Sequence, residues 1–253
     1  MDTPGRTALI TGAGGGIGRA VAERLAAEGY RVVISDKEPA GAQEAARLGA
    51  AFVQADLSDP KEVWRLAVEA RRAFGRVDVL VNNAGLQHVA PLERFPLDVW
   101  QAMQQVLVTA PFQLIRSFLG AMKERGWGRI INMGSIHSVV ASPYKAAYVT
   151  AKHALLGLTR AAALKAGEAG VTVNAVCPAY VRTPLVERQI TGQAANLALN
   201  EDEVVAKVML APAAIKRLIE PGEVAALVNY LTSNSAGAVS GACLPLDLGW
   251  TAR

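Results

Sequence analysis

Apolar runs of strand length alternate with helical periodicities from the start of the chain. Thr7, Ala8, Leu9, Ile10 and Thr11 form a run that stops at glycines, as a buried strand does. Apolar residues then recur at Ile17, Val21 and Leu25 within 17–28, which is one face of a helix. Further strand-like runs lie at 32–35, 51–53, 77–81, 129–133, 171–176 and 243–246. The spacing predicts a helix capped near Ser58 or Asp59, with Pro60 in its first turn. Other helices are expected over about 97–123, 144–169 and 221–231, and residues 183–220 read as helical without a strand. Strands that are apolar almost throughout belong to a parallel sheet covered on both faces.

The expected fold is therefore α/β, a Rossmann-type doubly wound parallel sheet of about seven strands with helices on both faces. No linker or shift in composition divides 1–253, so one domain is expected, with 183–220 as a helical segment covering the substrate. The chain has 253 residues, 51% hydrophobic and 19% charged, enough apolar content to exclude a disordered chain. Two cysteines, Cys177 and Cys243, cannot make a disulfide framework. The net charge of +4 comes from 26 basic and 22 acidic residues that are interspersed, so no nucleic-acid partner is expected. Residues 224–246 lack charge, but Asn229, Thr232, Ser233, Asn234, Ser235 and Ser240 interrupt them, so no membrane span is expected. Residues 1–6 show no signal-peptide pattern, and the expected location is cytoplasmic. Three histidines and two distant cysteines give no metal-ligand spacing.

Chemistry enters at the end of the first strand. Gly12, Gly16 and Gly18 lie between that strand and the first helix. Bare backbone there admits a pyrophosphate, and the helix start offers free N–H groups and a positive dipole end. Asp36 ends the second strand, at the spacing of a ribose-binding acid. Its carboxylate would accept bonds from the ribose hydroxyls and repel a 2′-phosphate. Gly15 supplies no basic side chain for such a phosphate, so NAD is favoured over NADP.

Four motifs in order then carry a resemblance. Thr11-Gly12-x-x-x-Gly16-x-Gly18, Asn82-Asn83-Ala84-Gly85, Ser135, and Tyr148-x-x-x-Lys152 together resemble the short-chain dehydrogenase/reductase family, over essentially the whole chain. Tyr148 and Lys152 are four apart and share a helix face. An ammonium beside the phenol, with the oxidised nicotinamide ring also positive, is expected to lower its pKa from about 10. The phenolate would take an alcohol proton while a hydride leaves for nicotinamide, and Ser135 would bond the same oxygen. The resemblance further implies Ile17, Asp56, Leu57, Asn83, Ala84, Gly85, Tyr148, Lys152, Pro178 and Val181 as cofactor contacts, and a homotetramer. One departure stands out. The family has an Asn where this chain has Leu107, and that Asn helps hold a water linking the lysine to solvent. Ala179 and Leu248 stand where the family favours glycine.

Within the family, Gln87-His88-Val89-Ala90-Pro91, Ser135-Ile136-His137, Lys145-Ala146-Ala147-Tyr148 and Thr183-Pro184-Leu185-Val186-x-x-Gln189 resemble the NAD-dependent subgroup acting on (R)-3-hydroxybutyrate. That resemblance implies that Gln87, His137, Lys145 and Gln189 hold the carboxylate of a small hydroxy acid, with Tyr180 and Trp250 nearby. Lys145, one turn before Tyr148, would place a cation beside the phenol, as an acid substrate needs and an apolar ketone does not. The competing readings are another short-chain alcohol dehydrogenase, a 3-oxoacyl-thioester reductase, or an NAD-binding regulator without turnover.

Overall fold

The strands β1 (Thr7–Thr11), β2 (Arg31–Asp36), β3 (Ala51–Gln54), β4 (Val79–Asn82), β5 (Gly128–Met133), β6 (Val171–Pro178) and β7 (Cys243–Leu246) build one parallel sheet in the order β3-β2-β1-β4-β5-β6-β7. The computed structural model describes residues 5–252 of the chain. Residues 1–4, part of the segment read as free of a signal peptide, lie outside the described residues. Leu9 pairs with Val33 on one side and Leu80 on the other, which places β1 in the middle of the sheet. Seven strands with this order agree with the expected doubly wound architecture.

Alternation along β1 divides the core in two. Ala8 and Ile10 face a layer made by α1 (Gly16–Ala27) and α9 (Pro221–Thr232), with Val21, Leu25, Val224 and Leu231 packed there. Leu9 faces the opposite layer, where α3 (Pro60–Phe74), α5 (Ala110–Glu124) and α6 (Ala146–Ala166) supply Leu66, Leu114, Phe118 and Ala166. Each fully buried Leu or Ile stabilises the fold by about 1.5–3 kcal/mol. Asp59 caps α3, accepting from the Lys61 N–H at 2.8 Å.

Several boundaries differ from the periodicity. An eight-residue helix, α2 (Gly41–Leu48), lies between β2 and β3; two turns are too short to announce themselves by period. The helix expected over 97–123 is α4 (Leu97–Gln104) and α5 joined by a π-helical turn, Gln105–Thr109. The helix expected from 144 begins at Ala146, because Tyr144 has φ +63, outside the right-handed helical region. Residues 183–220 hold α7 (Pro184–Leu197), the turn α8 (Glu201–Glu203) and a π-helical turn, Val204–Met209, with Val181 bridged to Ile219. Leu248 has φ +58, a left-handed backbone that explains why glycine suits this position.

The connections run outward in both directions from the β1–β4 pair. Such a reversal opens a crevice above the C-terminal ends of the strands. Among the described residues, no helix is long and apolar enough to cross a membrane.

Candidate active site

The glycine turn after β1 is held by contact rather than by its own preference. Gly12 has φ +63, and a Cβ there would lie 2.7 Å from the Ala84 Cα. A Cβ on Gly18 would lie 2.3 Å from the Gly12 carbonyl oxygen, so Gly18 serves close packing beneath the loop. The Asn83 amide donates to the Thr11 and Gly12 carbonyls at 2.9 and 3.0 Å. Thr11 Oγ1 accepts from the N–H groups of Asn83 and Ala84. Gly15, at the N-terminus of α1, has no side-chain cap and open space where a Cβ would stand. Free N–H groups facing that space suit a phosphate.

A cavity of about 750 Å³ extends from this turn across the strand ends. Its cofactor end is lined by Gly12, Gly16, Ile17, Asp36, Asp56 and Leu57. Asp36 accepts from the Gly14 N–H at 2.9 Å and the Glu38 N–H at 3.0 Å, which fixes its carboxylate at the rim. Asp56 is held below its ordinary pKa by hydrogen bonds from Ser58. A dinucleotide fits this cradle, with an open glycine edge for pyrophosphate and a fixed carboxylate where the ribose would lie. The middle of the cavity is bounded by Asn83, Ala84, Gly85, Pro178 and Val181.

Ser135, Tyr148 and Lys152 meet in the same cavity. Ser135 follows β5 through Gly134, where a Cβ would lie 2.6 Å from the Cys177 sulfur. Ser135 then caps the short turn Ile136–Ser138 and accepts from the His137 N–H at 3.2 Å. Lys152 Nζ sits 5.4 Å from the Tyr148 ring centre and donates to the Met133 carbonyl at 2.6 Å. Burial pushes Lys152 down to about 8. The Tyr148 phenol is pushed up to about 12, chiefly by burial, with the Ser135 hydrogen bond acting the other way. This corrects the expected lowering by the ammonium. In the protein alone, removal from water outweighs the neighbouring cation.

Leu107, in the π-helical turn, is 1% exposed and packs with Met103, Ala147 and Ala151, against Tyr148. An apolar side chain fills the position where the family has an amide.

The part of the cavity beyond Tyr148 brings together Gln87, His137, Lys145, Tyr180 and Gln189, the residues expected at the substrate. Lys145 is 6% exposed, and its ammonium donates to the Tyr180 hydroxyl at 3.4 Å over the ring of that residue. It stands just before α6 rather than within its first turn, and no carboxylate pairs with it among the ion pairs of the described residues. Burial lowers the pKa of both Lys145 and His137, the latter to about 4. His137 is thus neutral near pH 7, with its ring nitrogens 3.3 Å from Ser135 Oγ and 2.8 Å from Ser142 Oγ. The expected role of His137 as a donor to a carboxylate would use one of these ring nitrogens, each of which has a hydroxyl within hydrogen-bond distance. Trp250 departs from its expected place. It does not line the cavity, and its indole N–H donates to the Met209 carbonyl at 3.3 Å.

Two residues at the site escaped the motifs. Arg188 lines the cavity beside Gln189, and adjacency to Gln189 was the available signal. Ser142 reaches the site only because the turn after Ser135 folds back, which residue spacing does not reveal. Among the described residues no group of three His, Cys, Asp or Glu could hold a metal.

The neutral state of His137 has a measurable consequence. Its folded pKa of about 4 lies below the unfolded value of 6.5, so the unfolded chain binds more protons between these limits. Stability must then fall as pH drops below 6.5. Relative to His137→Gln, the unmodified protein should lose about 2 kcal/mol between pH 7 and pH 5, at about 1.4 kcal/mol per pH unit. Urea unfolding at the two pH values checks this.

Residues 6–194 match the short chain dehydrogenase family. D-beta-hydroxybutyrate dehydrogenase of Rhizobium meliloti (strain 1021) is 42% identical, with 98% of this chain and 99% of that protein covered. A protein of the same name from Cupriavidus necator is 39% identical over the same shares. A 2,5-dichloro-2,5-cyclohexadiene-1,4-diol dehydrogenase of Sphingobium indicum is 36% identical, with 99% of each covered. The structure of levodione reductase superposes with a TM-score of 0.91 at 30% identity, covering 99% of both chains. Matched over nearly its whole length by these relatives, the chain belongs to the short-chain dehydrogenase family of oxidoreductases.

Proposed function

We propose that this protein catalyses the reversible NAD-linked oxidation of (R)-3-hydroxybutyrate to acetoacetate. The observation that carries the reading is Lys145, an ammonium buried in the cavity wall with a hydroxyl as its hydrogen-bond partner and no carboxylate paired with it among the described residues. A buried charge without a counter-ion is costly, and a substrate carboxylate supplies one. The two relatives named D-beta-hydroxybutyrate dehydrogenase support the same substrate.

Lys145 would pair with the carboxylate while Gln87 and Gln189 donate amide hydrogens to it. Ser135 would donate its hydroxyl proton to the substrate oxygen and hold it against Tyr148. Nicotinamide, when bound, supplies the acceptor for the hydride leaving the carbinol carbon. The hydroxyl proton passes to Tyr148 Oη, leaving the ketone. Since burial favours the protonated phenol, reduction of the ketone starts from the prevalent form at neutral pH. Oxidation requires loss of that proton and should accelerate as pH rises. NAD is preferred because Asp36 faces the ribose site. Thr183, Pro184 and Leu185 form part of the cavity wall, and the segment 183–220 would cover the substrate. A single domain over 1–253, a homotetramer and a cytoplasmic location belong to the same proposal. A thioester substrate has no free carboxylate for Lys145, and a regulator has no use for Ser135, Tyr148 and Lys152 together.

Cofactor preference should be at least tenfold for NAD over NADP in dissociation constant, about 1.4 kcal/mol. Asp36→Ala should narrow the gap, and equal affinities in the unmodified protein would remove the role of Asp36. Substrate preference is read in kcat/KM from NADH absorbance. (R)-3-Hydroxybutyrate should exceed its methyl ester or 2-butanol by at least thirtyfold, as about 2 kcal/mol implies. Lys145→Ala should erase most of that preference while sparing NAD binding, whereas Tyr148→Phe should stop turnover with every substrate. Retained preference for the acid in Lys145→Ala would place the carboxylate elsewhere.

Leu107→Asn should shift the pH–rate profile by returning an amide near the lysine. It should also lower stability by about 1–3 kcal/mol, the cost of a buried amide lacking partners. An unchanged profile would mean that protons already reach Lys152 by another path.

A further inference from the structure

Ser135 has one proton to give, and its direction depends on what surrounds Oγ. A serine hydroxyl has one donor and two acceptor positions. One acceptor position is taken by the backbone N–H of His137 at 3.2 Å. The ring nitrogen Nδ1 of the same residue lies 3.3 Å away. On the far side of the ring, Nε2 lies 2.8 Å from Ser142 Oγ. The ring is 3% exposed and stands edge-on to Tyr148, with centroids 5.8 Å apart at 76°. A neutral imidazole carries a single N–H, and the bond at one nitrogen decides which nitrogen holds it.

We propose that Ser142 is a positioning residue that fixes the tautomer of His137 and thereby aims the Ser135 hydroxyl proton at the reacting oxygen. Ser142 donates to Nε2, so the ring hydrogen sits on Nδ1 and points at Ser135 Oγ. Both acceptor positions of Ser135 are then filled by His137, one by backbone and one by ring. The remaining proton of Ser135 faces the Tyr148 side, where the substrate oxygen binds. In the opposite tautomer Nδ1 is bare and draws that proton away. Burial holds the ring neutral, with the Lys145 and His153 charges acting in the same direction, so the choice lies between the two neutral tautomers. The loop carrying Ser142 is anchored next to Lys145, where the Ala90 N–H donates to the Tyr144 carbonyl at 3.0 Å. The inference rests on the reading of Ser135 and Tyr148 as an alcohol-oxidising pair, and it adds a residue that the family motifs do not include.

Three histidines in the whole chain make the tautomer directly observable by two-bond 1H–15N correlation on 15N-histidine-labelled protein, with His137→Gln giving the assignment. In the unmodified protein, His137 should carry its hydrogen on Nδ1. Ser142→Ala should move it to Nε2 and lower kcat about tenfold on the best alcohol substrate, with KM for NAD unchanged. Ser142→Thr keeps a hydroxyl and should restore both the tautomer and the rate. Hydrogen on Nε2 in the unmodified protein, or full kcat in Ser142→Ala, overturns the proposal. The tautomer is read without turnover. Absence of NADH formation with every alcohol and hydroxy acid would therefore overturn the proposed function, while the spectrum still decides the role of Ser142.

Discussion

A buried ammonium that faces the cavity with no carboxylate paired to it among the described residues sets the terms for this site. Lys145 is closed off from water and leans on the Tyr180 hydroxyl. Desolvation lowers its affinity for a proton, and an anion seated beside it would act in the opposite direction. Much of the local structure keeps that side chain in place. Tyr144 turns through a left-handed conformation immediately before it, and the Ala90–Tyr144 hydrogen bond ties the turn to the loop that follows β4. A left-handed tyrosine costs about 1–2 kcal/mol, which the surrounding contacts must offset. The same segment delivers Ser142 to His137, so one loop positions both Lys145 and the hydroxyl on the far side of the His137 ring.

The rest of the cavity follows from where parallel strands end. β1, β4, β5 and β6 finish side by side, and each is followed at once by residues of the site: Gly12, Asn83, Ser135 and Tyr180. Close approaches leave little freedom there. Gly12 is pressed by Ala84, Gly18 by the Gly12 carbonyl, and Gly134 by Cys177. Larger side chains would force the strand ends apart and dismantle the cradle.

The sheet could be read from the sequence because its strands are apolar throughout and its helices keep their period. The glycine turn, Asp36, Ser135, Tyr148 and Lys152 could be read because their chemistry depends on fixed short spacings. What escaped depends on contacts between distant parts. No period marks the eight-residue α2 or the π-helical turn at Leu107. The shift of Tyr148 up to about 12 reflects burial, which a neighbouring lysine four residues away cannot disclose. His137 lies in the same cavity as Ser135 and Lys145, yet its charge state depends on desolvation and on the Lys145 charge, neither of which has a sequence signature. Trp250 faces Met209 because the C-terminal turn closes on Asp247, which accepts from Gly249 and Thr251.

The claim that Lys145 selects a carboxylate is tested most directly by locating that carboxylate. Acetoacetate with oxidised NAD forms a pair that cannot exchange a hydride, so a crystal structure of this complex would trap the bound acid. The account predicts a carboxylate oxygen at about 3 Å from Lys145 Nζ, the distance of a charge-assisted hydrogen bond. A carboxylate seated on Arg188 instead, with Lys145 still on Tyr180, would contradict it.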